Sequence, residues 1–415
     1  MISGAVGHMA GVGIVQYWGG CPQTPNSKWT RFLHVMRRCA EEGWRTHLVW
    51  SRMPDDPALS RPFLDFGCEI ILQPRAHGNF DPACVWRTYK LLRRIECDVL
   101  HCHNVHTSPL IAAALARVPV RIWSKLAMSP CYERQDRPRR LHRLHLSDRL
   151  SVALAHRTLC ISQAVAEELR QVTGRPDRLL VHPAPVDVDL YSNASGDGVR
   201  AELGVSESEI VIATVGRAAP VKGWDILIRA FGKLAEAVPE ARLLLVGSTQ
   251  TSGEADFADQ LRDLVNLLAL DGRVRFLGQR ANIPQILAAS DVFAFPSRSE
   301  GQGLALTEAM ALGLPCVASK AGGIVDLVED GKNGLLVDRE DVDGLAEALV
   351  RLIQSEELRA RLGKSAQQSA RRFGLETAVT SLVCLYQNLL VEHGRLVVPS
   401  SPPQVPTEET SCPDR

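Results

Sequence analysis

Short apolar runs alternate with segments of helical period along the chain, and they do so twice over. A parallel strand can be rejoined to its neighbour only through a long crossover, normally a helix, so such alternation predicts parallel sheets covered by helices on both faces. In the first half the strand-like runs fall at 12–17, 46–51, 69–72, 98–103, 118–123, 158–161 and 179–182. Helices are expected over 28–42, 85–95, 108–117, 146–156 and 162–172. The second half repeats the pattern, with strands at 209–215, 243–246, 274–277, 292–295, 315–318 and 334–337, and a helix starting near Asp225. Segments 359–372 and 377–390 are helical by period. The fold class expected is α/β, built from two doubly wound Rossmann-like domains in series.

Length agrees with that division, because 415 residues exceed what one core supports and make two domains of roughly 200 residues the default. The stretch 183–198, rich in prolines and turn residues, is the natural boundary. The expected organisation is 1–190, then 191–372, then a helix over 373–390 and a disordered, proline-rich tail over 391–415. Basic and acidic residues balance at 47 each, which gives no ground for a nucleic-acid partner. The 11 cysteines show neither a Cys-x-x-Cys pair nor a histidine cluster at zinc spacing, and are read as free thiols in a reducing cytosol. No apolar run of about 18 residues is free of charge, and residues 1–11 lack the basic start of a secretory signal, so a cytoplasmic place is expected.

The most informative local segment is Ser299-Glu300-Gly301-Gln302-Gly303-Leu304-Ala305-Leu306-Thr307-Glu308, which follows the apolar run 292–295. Read as strand, glycine-relaxed turn and helix start, it brings backbone N–H groups and the positive end of a helix dipole against an anion. Glu300 at the strand end would accept from a sugar hydroxyl, and Glu308, about one turn into the helix, could bridge the vicinal hydroxyls of a ribose. Together these describe a nucleotide sugar. The plainer reading of two acidic residues in the first turns of a helix is dipole compensation.

The run 297–309, followed by Gly313–Ser319 and Gly322-Gly323, resembles the donor-binding segment of glycosyltransferase family 4, retaining enzymes of the GT-B fold, and the resemblance covers nearly the whole chain. It implies transfer of a sugar from a nucleotide diphosphate sugar to a hydroxyl acceptor in glycan, polysaccharide or glycolipid synthesis, with the last helix crossing back onto the amino-terminal domain. Gly216-Arg217 with Lys222-Gly223 is similar to the family's basic loop. There Arg217 forks onto phosphate oxygens, and Lys222 supplies a point charge against the diphosphate whose charge grows as the sugar leaves. The resemblance further places Gly247, Leu277 and Gly278 at the nucleotide, Gly301, Gly303, Leu304 and Thr307 with Glu300 and Glu308 at the donor, and Gly19 and Gly20 near the diphosphate and acceptor. His103 or Asn104, ending the strand 98–103, would face the donor sugar or acceptor.

Three departures from the family accompany the match. Where a histidine is usual after the next strand, this chain has Ser124-Lys125, so Lys125 is the expected cation at that place. Gln302 replaces an apolar residue, and Val325-Asp326 replaces Pro-Glu. No cofactor and no metal is expected, because side chains supply the cations; the Asp-x-Asp matches at 187–189 and 341–343 are read as turn and helix-start residues. The basic segment 121–150, interleaved with leucines, could meet anionic lipid or simply form a solvated face. Two other functions remain open: a nucleotide-sugar epimerase of the same architecture, and a nucleotide-sugar-binding protein without activity.

Overall fold

The computed structural model describes residues 11–22, 27–103, 107–128, 141–249 and 255–396. Seven strands make the first sheet: β1 (Gly13–Tyr17), β2 (Arg45–Trp50), β3 (Glu69–Leu72), β4 (Val99–His103), β5 (Val120–Lys125), β6 (Arg157–Cys160) and β7 (Leu179–Val181), in the order β3-β2-β1-β4-β5-β6-β7. Six make the second: β8 (Ile210–Val215), β9 (Ala241–Val246), β10 (Val274–Gly278), β11 (Val292–Phe295), β12 (Cys316–Ser319) and β13 (Leu335–Val337), in the order β10-β9-β8-β11-β12-β13. Neighbouring strands are parallel throughout both sheets. Strands covered on both faces need no alternation, which is why β1, β4 and β11 are buried at every position.

The helices follow from equally local causes. Helix Trp224–Ala237 starts just after Gly223 and buries Leu227, Ile228, Phe231 and Leu234, an i, i+1, i+4, i+7 stripe, against the second sheet. Side chains such as Phe231, fully buried, each contribute about 1.5–3 kcal/mol relative to exposure.

Strand order reverses between β1 and β4 in the first sheet and between β8 and β11 in the second. At such switch points the loops leaving the carboxyl ends of adjacent strands diverge and leave a crevice. The chain leaves the first sheet at Val181 and crosses through Pro183-Ala184-Pro185. The Val186 N–H donates to the Phe373 carbonyl at 2.8 Å, and Val186 bridges Gly374, so the outgoing and returning segments lie side by side. Val186 already belongs to the second core, although the chain pattern assigns it to the first domain, and Tyr191 joins it there. The last helix, Leu375–Glu392, packs on helix Ser27–Glu41 and sinks Val379, Leu382, Val383 and Tyr386 into the core of the first domain. Leu396 also packs there, so order extends beyond the expected start of the tail at 391, while the rest of the tail and residues 1–10 lie outside the described residues.

Candidate active site

The loops after β8 and β11 leave adjacent strands, and they bring together two residues singled out in the sequence. The Lys222 Nζ lies 2.6 Å from the Glu300 Oε2, and 5.5 Å from the centroid of the Phe295 ring. Lys222 ends a single 3-10 turn, Pro220–Lys222, that is held against the β11 exit by Arg298. The Arg298 N–H donates to the Val221 carbonyl at 2.8 Å, and its guanidinium reaches both Asp225 carboxylate oxygens at 2.8 and 2.7 Å. Those hydrogen bonds, with Glu340 adding to them, push the Arg298 pKa further above its ordinary value. Arg217 stands exposed on the same loop, just after Gly216.

The glycine turn has the expected form. Gly303 caps helix Leu304–Leu312 at φ +100, a conformation that side chains rarely adopt, and the first amides of that nine-residue helix face the turn. The Glu300 carbonyl accepts from the Gly323 N–H at 3.0 Å, which backs the turn with the next loop. Thr307 is fully buried, and its hydroxyl donates to the Gly303 carbonyl at 3.2 Å, so it shapes the helix start. Glu308, one turn in, receives a hydrogen bond from the Tyr191 hydroxyl; burial first, and then the Glu308 charge, raise the Tyr191 pKa. Both residues line a cavity of about 650 Å³ with Thr30, Gln279, Arg280 and Gln285, so the pocket draws on both domains.

Gly247 is required by backbone packing: a Cβ there would lie 1.5 Å from the Gly216 carbonyl oxygen, where the ends of β8 and β9 approach closely. Its N–H donates to the Gly278 carbonyl at 2.9 Å, which lines up the ends of β8, β9 and β10 beside Leu277.

Across the crevice, Gly19 and Gly20 follow β1; the Gly20 carbonyl accepts from the Ser51 N–H at 3.0 Å. His103 ends β4, is 1% exposed, and is gripped by the Gln16 amide on one ring nitrogen and by the Arg31 guanidinium, 3.2 Å away, on the other. Burial lowers the pKa of Arg31, and the Arg31 charge adds to burial in lowering those of His101 and His182. Lys125, at the end of β5, is buried and donates to both carboxylate oxygens of Asp148, at 3.1 and 3.0 Å. That pairing commits its charge within the domain. Asn104 lies outside the described residues, as do residues 129–140 of the basic segment 121–150. Within that segment the Arg121 and Arg149 guanidinium groups also donate to protein carbonyls, those of Leu154 and Val172.

The domains touch at the glycine turn itself: a Cβ at Gly301 would lie 3.1 Å from the Leu126 carbonyl oxygen. The crevice thus holds a lysine–glutamate pair, a helix start and a second carboxylate over a cavity, and comparison with known proteins gives the family. Residues 29–190 match the family model described as Glycosyltransferase Family 4, and residues 197–369 the one described as Glycosyl transferases group 1. The D-inositol 3-phosphate glycosyltransferase of Corynebacterium efficiens is 32% identical over 70% of this chain and 71% of its own length.

The chain belongs to glycosyltransferase family 4.

This glycosyltransferase is also 26% identical to the N-acetyl-alpha-D-glucosaminyl L-malate synthase of Bacillus anthracis, over 85% of this chain and 92% of that one. Anabaena HepE, crystallised in complex with UDP and glucose, matches with a TM-score of 0.76 and 25% identity, over 91% of this chain and 100% of its own. Sucrose-phosphate synthase from Thermosynechococcus elongatus, at 21% identity and a TM-score of 0.75, shares the GT-B fold. Since these relatives are transferases, the epimerase and the inactive binder lose their standing as readings of this glycosyltransferase. Asp187 and Asp341 cap helices Val188–Ser192 and Val342–Gln354, accepting from the Leu190 and Gly344 N–H groups. Among the described residues, no group of three or more His, Cys, Asp or Glu is arranged to hold a metal ion, and no helix is long and apolar enough to cross a membrane.

Sequence reasoning passed over Arg298, Tyr191 and Asp148. Arg298 stands beside the glycine turn and could have been found there. Tyr191 and Asp148 meet their partners only through the tertiary fold, and nothing local marks them.

Proposed function

We propose that this glycosyltransferase moves a sugar from a nucleotide diphosphate sugar to a hydroxyl acceptor, with retention of anomeric configuration. The observation that carries the reading is the Lys222–Glu300 pair at the β8/β11 switch point, beside Arg217 and the first amides of helix Leu304–Leu312. In this reading Glu308 holds the ribose hydroxyls in the cavity that it shares with Tyr191, and the diphosphate lies along the basic loop. As the sugar–phosphate bond breaks, negative charge accumulates on the leaving diphosphate, and Arg217 and Lys222 oppose it. On donor binding Glu300 exchanges its ammonium partner for a sugar hydroxyl, while positioning across the crevice brings the acceptor oxygen to the reacting carbon on the face that the diphosphate leaves, and the acceptor proton passes to the departing diphosphate oxygen. With side-chain cations at that place, no metal is required.

Support for the donor class comes from HepE, whose crystals hold UDP and glucose. Two of the relatives are named for inositol 3-phosphate and L-malate, hydroxylated anions, which makes small anionic polyols and hydroxy acids the first acceptors to try. Contact with anionic lipid would fall to the basic residues of 121–150 other than Arg121, Lys125 and Arg149; liposome flotation at low salt that leaves the protein unbound would remove it.

The test is incubation with UDP-, GDP- and ADP-sugars and a panel of hydroxyl acceptors, followed by NMR. Release of nucleoside diphosphate together with a glycoside of unchanged anomeric configuration is expected. Isomerised donor without transfer, or no reaction with any donor, would refute the proposal.

A further inference from the structure

Gln302 stands between Gly301 and Gly303, in the middle of the donor turn, where the family has an apolar side chain. The structure uses both ends of the amide. Gln302 is 3% exposed, its Oε1 accepts from the Ala184 N–H at 2.7 Å, and its Nε2 donates to the Ala184 carbonyl at 3.0 Å. A side chain thereby pairs with a backbone residue on both its donor and its acceptor, as a neighbouring strand would. Ala184 sits between Pro183 and Pro185, whose fixed φ angles stiffen the segment, and this is where the chain crosses from one domain to the other. Two residues on, Val186 is tied to Phe373 and Gly374 of the returning segment.

Glycines on both sides of Gln302 make the turn costly to order. The groups that it must present are the Glu300 carboxylate and the amides at Gly303 and Leu304. An anchor at the centre of the turn removes part of that cost before the donor arrives. We propose that Gln302 is a positioning residue: its amide pins the donor turn to the interdomain crossing, so that donor binding at the turn is felt at Ala184. This rests on the donor site described above, and it adds to that site a mechanical link to the segment about which the domains would move.

The experiment uses the full chain, with Gln302→Leu, which removes both hydrogen bonds at similar volume, and Gln302→Glu, which keeps only the acceptor for the Ala184 N–H. Lys222→Met serves as the control for the site itself. Dissociation constants for UDP, GDP and ADP are measured by calorimetry, and amide hydrogen exchange of peptides spanning 183–186 and 300–304 is followed with and without the tightest of the three. In the unsubstituted protein both peptides should gain protection on binding. In Gln302→Leu the dissociation constant should rise about 10-fold, and ligand should still protect 300–304 but no longer 183–186. Gln302→Glu should show the same uncoupling, and it keeps the test decisive if the leucine variant does not fold. Ligand-induced protection of 183–186 that persists in the variants, with affinity within twofold of the unsubstituted protein, would overturn the proposal while leaving the donor site intact. A Lys222→Met variant that binds as tightly as the unsubstituted protein would overturn the site, and the proposal with it.

Discussion

An ammonium and a carboxylate 78 positions apart form the contact on which the account of the site rests. Glu300 balances Lys222, while Arg217 on the same loop is exposed. Replacing Arg217 with alanine should therefore lower kcat about 100-fold, as loss of one charge-stabilising donor does, and shift Tm by no more than about 2 °C. Steady-state kinetics beside a melting curve checks this; an unchanged rate would remove the phosphate role. A second expectation concerns protons. His182 is held down at about 4, first by burial and then by the Arg31 charge, and His156 at about 3, first by burial and then by Arg121. An unfolded histidine takes its proton near 6.5, so between roughly pH 6.5 and those values the unfolded chain binds more protons than the native one. Stability should then fall as pH falls from 7 to 5, and the fall should be shallower in His182→Gln. Equal slopes in the two melting series would contradict the assignment. Lys222, Glu300 and Glu308 were legible because each sits in a run whose glycines and flanking strands mark it. The Asp148 partner of Lys125 and the Ala184 partner of Gln302 were not, since one is met across two elements and the other is backbone, which leaves no trace in side-chain pattern.

Among elements, each strand of the two sheets was legible in place, most plainly an inner strand such as β11, which is buried at every position and written as an apolar run. Their ends were less so. The run at 118–123 becomes β5 at Val120–Lys125, two residues later: Arg117 adopts φ 56 and Pro119 follows, which delays the start, while Lys125 pairs in register with Cys160 and prolongs the end. Hydropathy cannot see a buried Ser124 or a buried lysine as strand. The short helix Val188–Ser192 was likewise hidden in a stretch read as boundary, since five residues carry no period. The last helix is tied to the first sheet by polar contacts as well as by packing. Tyr386 accepts from the Gln16 Nε2 at 2.9 Å and lies 2.6 Å from the His101 Nδ1, whose other ring nitrogen is 2.7 Å from the Ser124 Oγ. Tyr386→Phe would strand buried partners on Gln16 and His101, at a cost of about 1–3 kcal/mol. Chemical denaturation should show that loss with the m-value unchanged; a variant as stable as the parent would mean that the helix is held by apolar contact alone.

At the scale of the whole molecule, two sheets with the same winding present their switch points to one another, and the chain crosses between them twice through paired segments. The repeated αβ pattern already implied this arrangement; the cavity of about 650 Å³ that draws Thr30 from one domain and Glu308 from the other was not implied, because its walls come together only after docking. A ligand that binds only the folded protein raises Tm by mass action, so a nucleoside diphosphate at 100 times its dissociation constant should stabilise the molecule by about 2.7 kcal/mol. The most direct measurement is calorimetric titration of UDP, GDP and ADP into the unsubstituted protein and into the Arg217→Ala/Lys222→Ala double variant. The account predicts that at least one of the three binds the former, and that the double variant, melting within about 2 °C of it, binds at least about 100-fold more weakly, a loss of about 2.7 kcal/mol. Equal affinity in both proteins would contradict it.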